Sequence, residues 1–446
     1  MRDMKKVFEG VKFQENWAKS RIKHSSTSLE AYATDSSNIL ESQYRTKFES
    51  TELESNLPEK NFGIIDKIHH IFGKHGAPSL EIGGHPDFDH LEDTNQLQYG
   101  YAVSFFLDIK GSTKLGLIYP PEQVFFIKNT IIKCAIETIQ AFDGHVHRIM
   151  GDAVLAFFRG RGESPENAAI DAINCGTYLI EFMKQIVIPT LQEGNIHEDV
   201  GIRIGADYGP ENSVLWGMYG YKGASEVTAT SFHVDAAAKL QQKAPRNRMM
   251  IGQSLKKLLD LHSDVIESRY KISNGERKTL KYLTPNYTDS SETKINYEQY
   301  VISHKNYFDL LPVPEPENSD ILVSAVISPE KEAPSSIEYI PCSRSISKPY
   351  QIKFKAKFKT NPTYPVENLS VKFRVENHGE DASKVESPPY ANHETPVTPK
   401  FNSHDQTYLA YQWESIEFRG LHYMHVSVLL DGAIIIPECK FALYVK

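Results

Sequence analysis

Cysteine is scarce in this chain, and the four present, Cys134, Cys175, Cys342 and Cys439, are scattered along it. None forms the close pair that a zinc or redox motif needs, so those readings drop out and buried free thiols are expected. Long apolar runs are absent as well, since no stretch approaches the ~20 residues of a membrane helix. The opening segment, MRDMKKVFEGVKFQENWAKSRIKHSS, has basic residues but no apolar signal core, so a cytoplasmic location with no membrane partner is expected. An excess of positive charge is also missing. Lys and Arg number 49 against 57 Asp and Glu, a net charge of −8, which argues against a nucleic-acid partner but leaves room for a local site for a small anion. Two phosphate-binding motifs are missing too: Gly-x4-Gly-Lys-Ser/Thr, and Gly-x-Gly-x-x-Gly after a strand, which removes the P-loop and dinucleotide-binding folds.

What is present divides the 446 residues into several units. Residues 1–95 are polar and mixed, with a short helix expected over Phe62–Phe72, and are read as a partly helical extension. From residue 96 the texture changes to that of an α+β domain reaching residue 285. YAVSFFLDI has the length and the β-branched and aromatic content of a buried strand, and PEQVFFIKNTIIKCAIETIQAF has apolar residues at helical spacing behind Pro121 and Glu122. Val146–Met150 and Ala153–Phe158 read as strands joined by Gly151-Asp152, a dipeptide suited to a two-residue hairpin turn. A second long helix follows, with Ser164 as N-cap and Pro165 at its first position. VGIRIGADYGP and SVLWGMYG read as a strand pair, ATSFHVDAAAKLQQKA as a helix, and SRYKISNGERKTLKYL as a closing strand pair. Residues 286–345, rich in Pro, Ser, Glu and Asn, read as a linker able to carry one or two strands. Residues 346–446 fall into strand-length apolar or alternating pieces between turn-rich spacers, which predicts a small all-β, sandwich-like domain.

Asp108 stands at a strand exit in SFFLDIKGSTKLG, and Asp152 stands in the hairpin turn. Either alone reads as a turn carboxylate. If the hairpin lies beside the first strand, the two converge at one sheet end and offer hard oxygen ligands for Mg²⁺ or Mn²⁺ with substrate phosphates. Behind Asp108, the backbone N–H groups from Ile109 through Gly111, Ser112 and Thr113 lead into a helix, an arrangement suited to phosphate oxygens.

Four segments, FLDIKGST, GDAVLAFF, VGIRIGADYGPENSVLWGMYG and HVDAAAKLQ, resemble in order and spacing those of the class III nucleotidyl cyclase catalytic domain, whose core is a ferredoxin-like βαββαβ unit. The resemblance implies two divalent cations, Mn²⁺ or Mg²⁺, at Asp108, its neighbour Ile109 and Asp152. It implies a homodimer with sites at the subunit interface. Arg148, four residues before Asp152, falls where adenylate cyclases carry a base-reading Lys and guanylate cyclases a Glu. The second base-reading position falls at Thr228, so neither purine code is present. Arg148 offers only donors, which suits the acceptors of uracil or cytosine. Tyr101 resembles the aromatic that bacterial pyrimidine cyclases of the Pycsar antiphage system place near the base. Asp235 and Lys239 fall where the family has a ribose-orienting Asn and a transition-state Arg. Lys271, Arg277 and Lys278 lie where it has a phosphate-contacting lysine.

The final hundred residues resemble the AGS-C sensor domain of bacterial antiphage operons in position, size and strand pattern. Together the resemblances imply a pyrimidine cyclase that converts UTP or CTP to the 3′,5′-cyclic monophosphate, its product read by a separate effector. Two rivals stand beside it: an adenylate or guanylate cyclase with unusual base reading, and a non-catalytic cyclase-like regulator, for which the departures at Asp235 and Lys239 argue.

Overall fold

The computed structural model describes residues 3–11, 61–76, 81–160, 163–273, 275–314, 320–331, 335–361, 364–385 and 391–446. Most of the expected N-terminal extension therefore lies outside the described residues. Three parts of it do not: Met4, Val7 and Phe8 are buried in the main core, a helix, α1 (Ile64–Phe72), buries Ile64, Ile68 and Phe72 in the same core, and Phe88 and Leu91 are buried in a smaller cluster with Trp216.

The catalytic unit runs β1 (Leu97–Tyr99), β2 (Ala102–Lys110), α2 (Ser112–Ile118), α3 (Pro121–Ala141), β3 (Gly144–Met150), β4 (Ala153–Phe158), α4 (Pro165–Phe182), β5 (Gly201–Gly209), β6 (Leu215–Tyr221), β7 (Ala224–Thr230), α5 (Phe232–Lys243), β8 (Arg248–Gly252), α6 (Gln253–Leu258), β9 (Ile266–Ser268), β10 (Tyr270–Ser273), β11 (Glu276–Thr279) and β12 (Gln299–Ile302). Seven strands form the central sheet in the order β3-β4-β2-β5-β8-β12-β9. Its first four strands are antiparallel, and with α3 and α4 they make the expected ferredoxin-like core. The hairpin β3–β4 turns on Gly151-Asp152 as expected, with Gly151 at φ 66°, the conformation a primed two-residue turn requires. The Ser164 hydroxyl caps α4 by accepting from the Asn167 N–H, with Pro165 next in line.

Two devices hold α5 against the sheet. Gly205 on β5 leaves room for the helix, because a Cβ there would come within 2.1 Å of the Gln241 nitrogen and 2.3 Å of the Ala237 oxygen. Fully buried Asp207 on the same strand accepts from the Tyr297 hydroxyl at 2.6 Å and contacts His233 Nδ1 at 2.9 Å. Burial and the Asp207 carboxylate both push the Tyr297 hydroxyl well above its ordinary pKa, so it stays a donor.

Tyr297 lies inside the stretch read as a linker, and so do three strands of the folded units. β12 sits between β8 and β9 in the central sheet, and Ile321–Ser328 and Ile337–Tyr339 are sandwich strands. The β10–β11 pair, expected to close the domain, instead forms a separate two-stranded ribbon whose described residues are all exposed. Its alternating composition matches a strand, but it has no apolar face to bury.

The C-terminal unit is the expected sandwich. Ile337–Tyr339, Ile321–Ser328, Gln351–Phe358, Thr407–Ser415 and Lys400–Asn402 form one five-stranded sheet. Ser345–Ile346, Ala433–Val445, Gly420–Leu430, Leu369–Glu376 and His393–Val397 form the other. Phe354, Phe358, Phe373, Val426 and Phe441 are buried between them. His393–Val397 escapes a sequence reading because it carries Pro396, which an edge strand tolerates. The sandwich is fused to the catalytic unit through a shared core: Leu421, Tyr423, Ala442 and Tyr444 belong to the main cluster, and the Asn174 amide donates to the Cys342 carbonyl at 2.9 Å.

Gly205→Ala should force α5 off β5 and destabilise the fold by about 1–3 kcal/mol, the usual cost of overpacking. A full-length variant whose first thermal transition matches that of the wild type would contradict this packing account.

Candidate active site

The two aspartates singled out in the sequence lie at the same end of the sheet. Asp108 pairs in register with Ala153, the residue after Asp152, and the Ile109 N–H donates to the Asp152 carbonyl at 3.2 Å. Each carboxylate faces a cation. Arg203, across β2 from Asp108, donates to Oδ2 through Nε at 3.1 Å and again through Nη2. Lys128 on α3 reaches to 3.8 Å from Asp152 Oδ2. Negative charge gathered on one sheet end is thus compensated by side chains from two other elements, which marks a place able to take cations. Two carboxylates at one sheet end are oxygen donors of the kind a hard divalent ion takes.

The chain leaves β2 through Gly111, at φ 88°, where a Cβ would come within 2.7 Å of the Asp199 oxygen. Only glycine fits, and the turn delivers Ser112 and Thr113 to the first turn of α2.

Arg148 lies on the exposed end of β3, just past a register slip between Val146 and Arg148 that re-aims the strand. Its guanidinium pairs with Glu226 on β7. Thr228, the second expected base-reading residue, is two residues along from Glu226 on the same face of that strand. Sequence reasoning missed Glu226 because β6–β7 belongs to a separate sheet, β1-β6-β7, and only the tertiary fold brings it to β3.

Tyr101, expected near the base, is buried in the core. It precedes β2 at the end opposite Asp108, is 7% exposed, and donates to the Glu163 carbonyl at 3.3 Å. Arg159 lies over its ring at 4.7 Å, and burial raises its hydroxyl pKa. It is a core tyrosine, and the fold does not bring it to the two aspartates.

Asp235 and Lys239 both lie on α5, whose N-cap Ser231 accepts from the His233 and Val234 N–H groups. Asp235 is exposed, and Lys239 lies over the Tyr287 ring at 5.2 Å. Two further cations join them. Lys243, one turn on, donates to Thr284 at 2.6 Å, and Arg269 donates from Nε to the Lys243 carbonyl at 3.1 Å. Desolvation, then Arg269 and Lys239, lower the Lys243 pKa, and desolvation lowers that of Arg269. Among the described residues none of the three forms an ion pair with a carboxylate. This cluster adjoins the aspartates, since Arg203 Nη1 donates to the Gln242 carbonyl at 3.2 Å. Lys271, Arg277 and Lys278 project from the exposed β10–β11 ribbon, where Lys271 faces Lys278 and Arg277 covers the Tyr270 ring at 3.7 Å.

Residues 96–302 match the adenylate and guanylate cyclase catalytic domain, and residues 296–445 match the adenylyl/guanylyl and SMODS C-terminal sensor domain. The chain is 41% identical over 429 residues to a cytidylate cyclase of Escherichia coli, covering 94% of this chain and 91% of that one. It is 34% identical over 401 residues to a cytidylate cyclase of Staphylococcus aureus, covering 87% and 89%. The crystal structure of the adenylyl cyclase CyaB from P. aeruginosa aligns at 19% identity and a TM-score of 0.37, over 46% of this chain and 95% of that one. The fold is that of a class III nucleotidyl cyclase. The chain belongs to the family in which that catalytic domain is followed by an AGS-C sensor domain.

Three clustered cations without a carboxylate partner should attract a polyanion. Inorganic tripolyphosphate is expected to raise the melting temperature of the wild type. Lys243→Met and Arg269→Met should each raise its half-saturating concentration roughly tenfold, about 1.4 kcal/mol, with the effect shrinking in high salt. Unchanged binding in both variants would remove the cluster from the site.

Proposed function

We propose that this protein is a cytidylate cyclase, closing CTP to 3′,5′-cyclic CMP with release of diphosphate. The observation that carries the choice of base is the pairing of Arg148 with Glu226 beside Thr228. A cytosine edge presents an amine donor at N4 and acceptors at N3 and O2. Glu226 accepts from N4, and Arg148 donates to N3 or O2, a division of labour that bases and these side chains show elsewhere. Uracil would aim its O4 acceptor at the Glu226 carboxylate and leave both oxygens without a donor. The cytidylate cyclase names of the relatives support the same base. The purine alternative finds no Lys or Glu at Arg148. The non-catalytic alternative has to explain why both aspartates are kept together with a counter-cation on each.

Asp108, the Ile109 carbonyl and Asp152 would hold two Mg²⁺ or Mn²⁺ ions, which when bound acidify the ribose 3′-hydroxyl and draw charge from the triphosphate. The chain itself does the rest. Backbone N–H groups of Gly111, Ser112 and Thr113, aligned by the turn, donate to phosphate oxygens. Asp235 accepts from a ribose hydroxyl. Lys239, supported by Lys243 and Arg269, offsets the negative charge that grows as the bond from the 3′-oxygen to the α-phosphorus forms and the bond to the departing diphosphate breaks. Lysine lacks the bidentate fork of arginine, so a second and third cation supply what one Arg provides in the family. Because one chain carries one catalytic domain, we infer a homodimer in which aspartates of one subunit meet the base-reading and cationic residues of the other. We also infer a cytoplasmic messenger synthase of antiphage defence, its product read by a separate effector; the sensor-domain match supports that role.

Incubating the purified chain with each NTP in turn and Mn²⁺, then identifying products by mass, tests the assignment. Cyclic CMP is expected, and Asp108→Ala or Asp152→Ala should abolish it. Cyclic AMP or GMP as the main product, or no turnover at all, overturns the proposal. Glu226→Gln places an amide donor opposite position 4 of the base. It should lower kcat/KM for CTP relative to UTP by about 10–100-fold, the 1–3 kcal/mol of one base-edge contact. An unchanged ratio removes Glu226 from base reading.

A further inference from the structure

The seam between the catalytic unit and the sandwich holds a second group of ligating side chains. The chain beyond α6 clamps the sandwich: Arg419 Nη2 donates to the Lys257 and Leu258 carbonyls at 3.3 and 2.5 Å, and the Glu380 N–H donates to Asp260 Oδ2 at 2.6 Å. Directly beyond these contacts, His262 and Asp264 of the catalytic unit meet His378 of the sandwich. One ligating atom of each residue lies within 4.8 Å of those of the other two.

We infer that His262, Asp264 and His378 form a binding site for a divalent transition-metal ion, of the Zn²⁺ or Co²⁺ kind, that ties the sensor domain to the cyclase domain. Two imidazoles and one carboxylate, with water completing the shell, are a donor set that borderline ions take and that Mg²⁺ does not favour. His262 Nδ1 is 3.9 Å from Asp264 Oδ2, while its Nε2 is sealed from solvent with no hydrogen-bond partner. Nδ1, which accepts from the Asp264 backbone N–H at 3.4 Å, is the nitrogen on the Asp264 side. Asp264, with a side chain 47% exposed, keeps the site open to solvent and to an entering ion.

His378 is held from outside the group. Its Nε2, sealed from solvent, lies 2.9 Å from Glu376 Oε1 without the alignment of a hydrogen bond. Its N–H donates to His422 Nδ1 at 3.1 Å, and His422 Nε2 contacts the Phe418 carbonyl at 2.9 Å, so His422 is fixed as the tautomer protonated at Nε2. The rings of His262 and His378 stack at 3.7 Å and 12°, with Tyr423 edge-on to both. Lone pairs lie in the ring plane, so parallel rings point theirs side by side. Taking an ion turns the stack into a fan and replaces a weak ring contact by bonds that span the two domains.

The position gives such an ion a route to the reaction. From Asp264 the chain runs through β9 (Ile266–Ser268) to Arg269 of the cationic cluster. On the proposed function, which puts Arg269 beside the triphosphate, a change in how the sandwich sits on residues 257–264 would reach the reaction over a few residues of chain.

The test uses the full chain carrying Asp108→Ala and Asp152→Ala, so that the catalytic carboxylates do not compete, and Co²⁺ as the probe. About one equivalent of Co²⁺ is expected to bind with the visible absorption of mixed nitrogen and oxygen ligation, to be displaced by Zn²⁺, and to raise the melting temperature. Adding His378→Ala, or Asp264→Asn at its exposed position, should weaken Co²⁺ binding roughly tenfold or more, as loss of one ligand does, while circular dichroism stays native. No Co²⁺ uptake by the double variant would overturn the inference. So would equal uptake and equal stabilisation once Asp264→Asn is added.

Discussion

Everything in the catalytic half depends on gathering two carboxylates at one end of an antiparallel sheet. Asp108 and Asp152 are brought together by the β2–β4 register and by a hairpin whose turn leaves no slack. Unbalanced, two like charges so placed would repel one another and resist desolvation. Arg203 and Lys128 remove that difficulty, each from an element that must itself be correctly packed. The site is therefore a readout of the whole fold: β5 has to lie against β2 to supply Arg203, and α3 has to lie across the sheet to supply Lys128. The same pairs define what an entering divalent ion has to compete with, and they give the chain a resting state in which its acidic end is neutralised.

Charge is arranged in the opposite sense on α5. Lys239, Lys243 and Arg269 are crowded without a carboxylate partner, and they are held in place by neutral contacts to Tyr287, Thr284 and a backbone carbonyl. A chain with net charge −8 has many carboxylates to spare for such a cluster. Leaving it uncompensated keeps it available to an outside anion. Acidic groups paired with cations, and cations that form no ion pair among the described residues, are the two halves that the proposed metal-and-triphosphate site would bring together across the dimer.

The sequence was legible where chemistry is local. The strand exit at Asp108, the Gly151 turn, the Ser164 cap and the four cyclase-like segments could be read from neighbouring residues, because strand length, turn type and capping are set by a few positions each. The sandwich was legible as alternation in its long strands, but not in the edge strand carrying Pro396 or in Ile321–Ser328, which hides in Pro- and Ser-rich surroundings. Contacts between distant segments were not legible. Glu226 looks like any strand glutamate until β6–β7 folds over β3. Tyr101 directly precedes the strand of Asp108, at the end opposite that aspartate, and strand periodicity reports the face a residue is on, not the end. Arg203 lies within one of the cyclase-like segments, and its signal is local: a charged residue inside an otherwise apolar strand asks for a partner.

The central claim is that one site joins the aspartate end of the sheet to a cytosine-reading pair. The most direct measurement is a crystal structure of the chain with Mn²⁺ and a non-cyclisable CTP analogue. The account predicts Mn²⁺ on Asp108 and Asp152, the triphosphate against Lys239, Lys243 and Arg269, and the cytosine amine on Glu226 with Arg148 beside it. A nucleotide whose base lies away from Arg148 and Glu226, or ions bound elsewhere while Arg203 keeps Asp108, would contradict it.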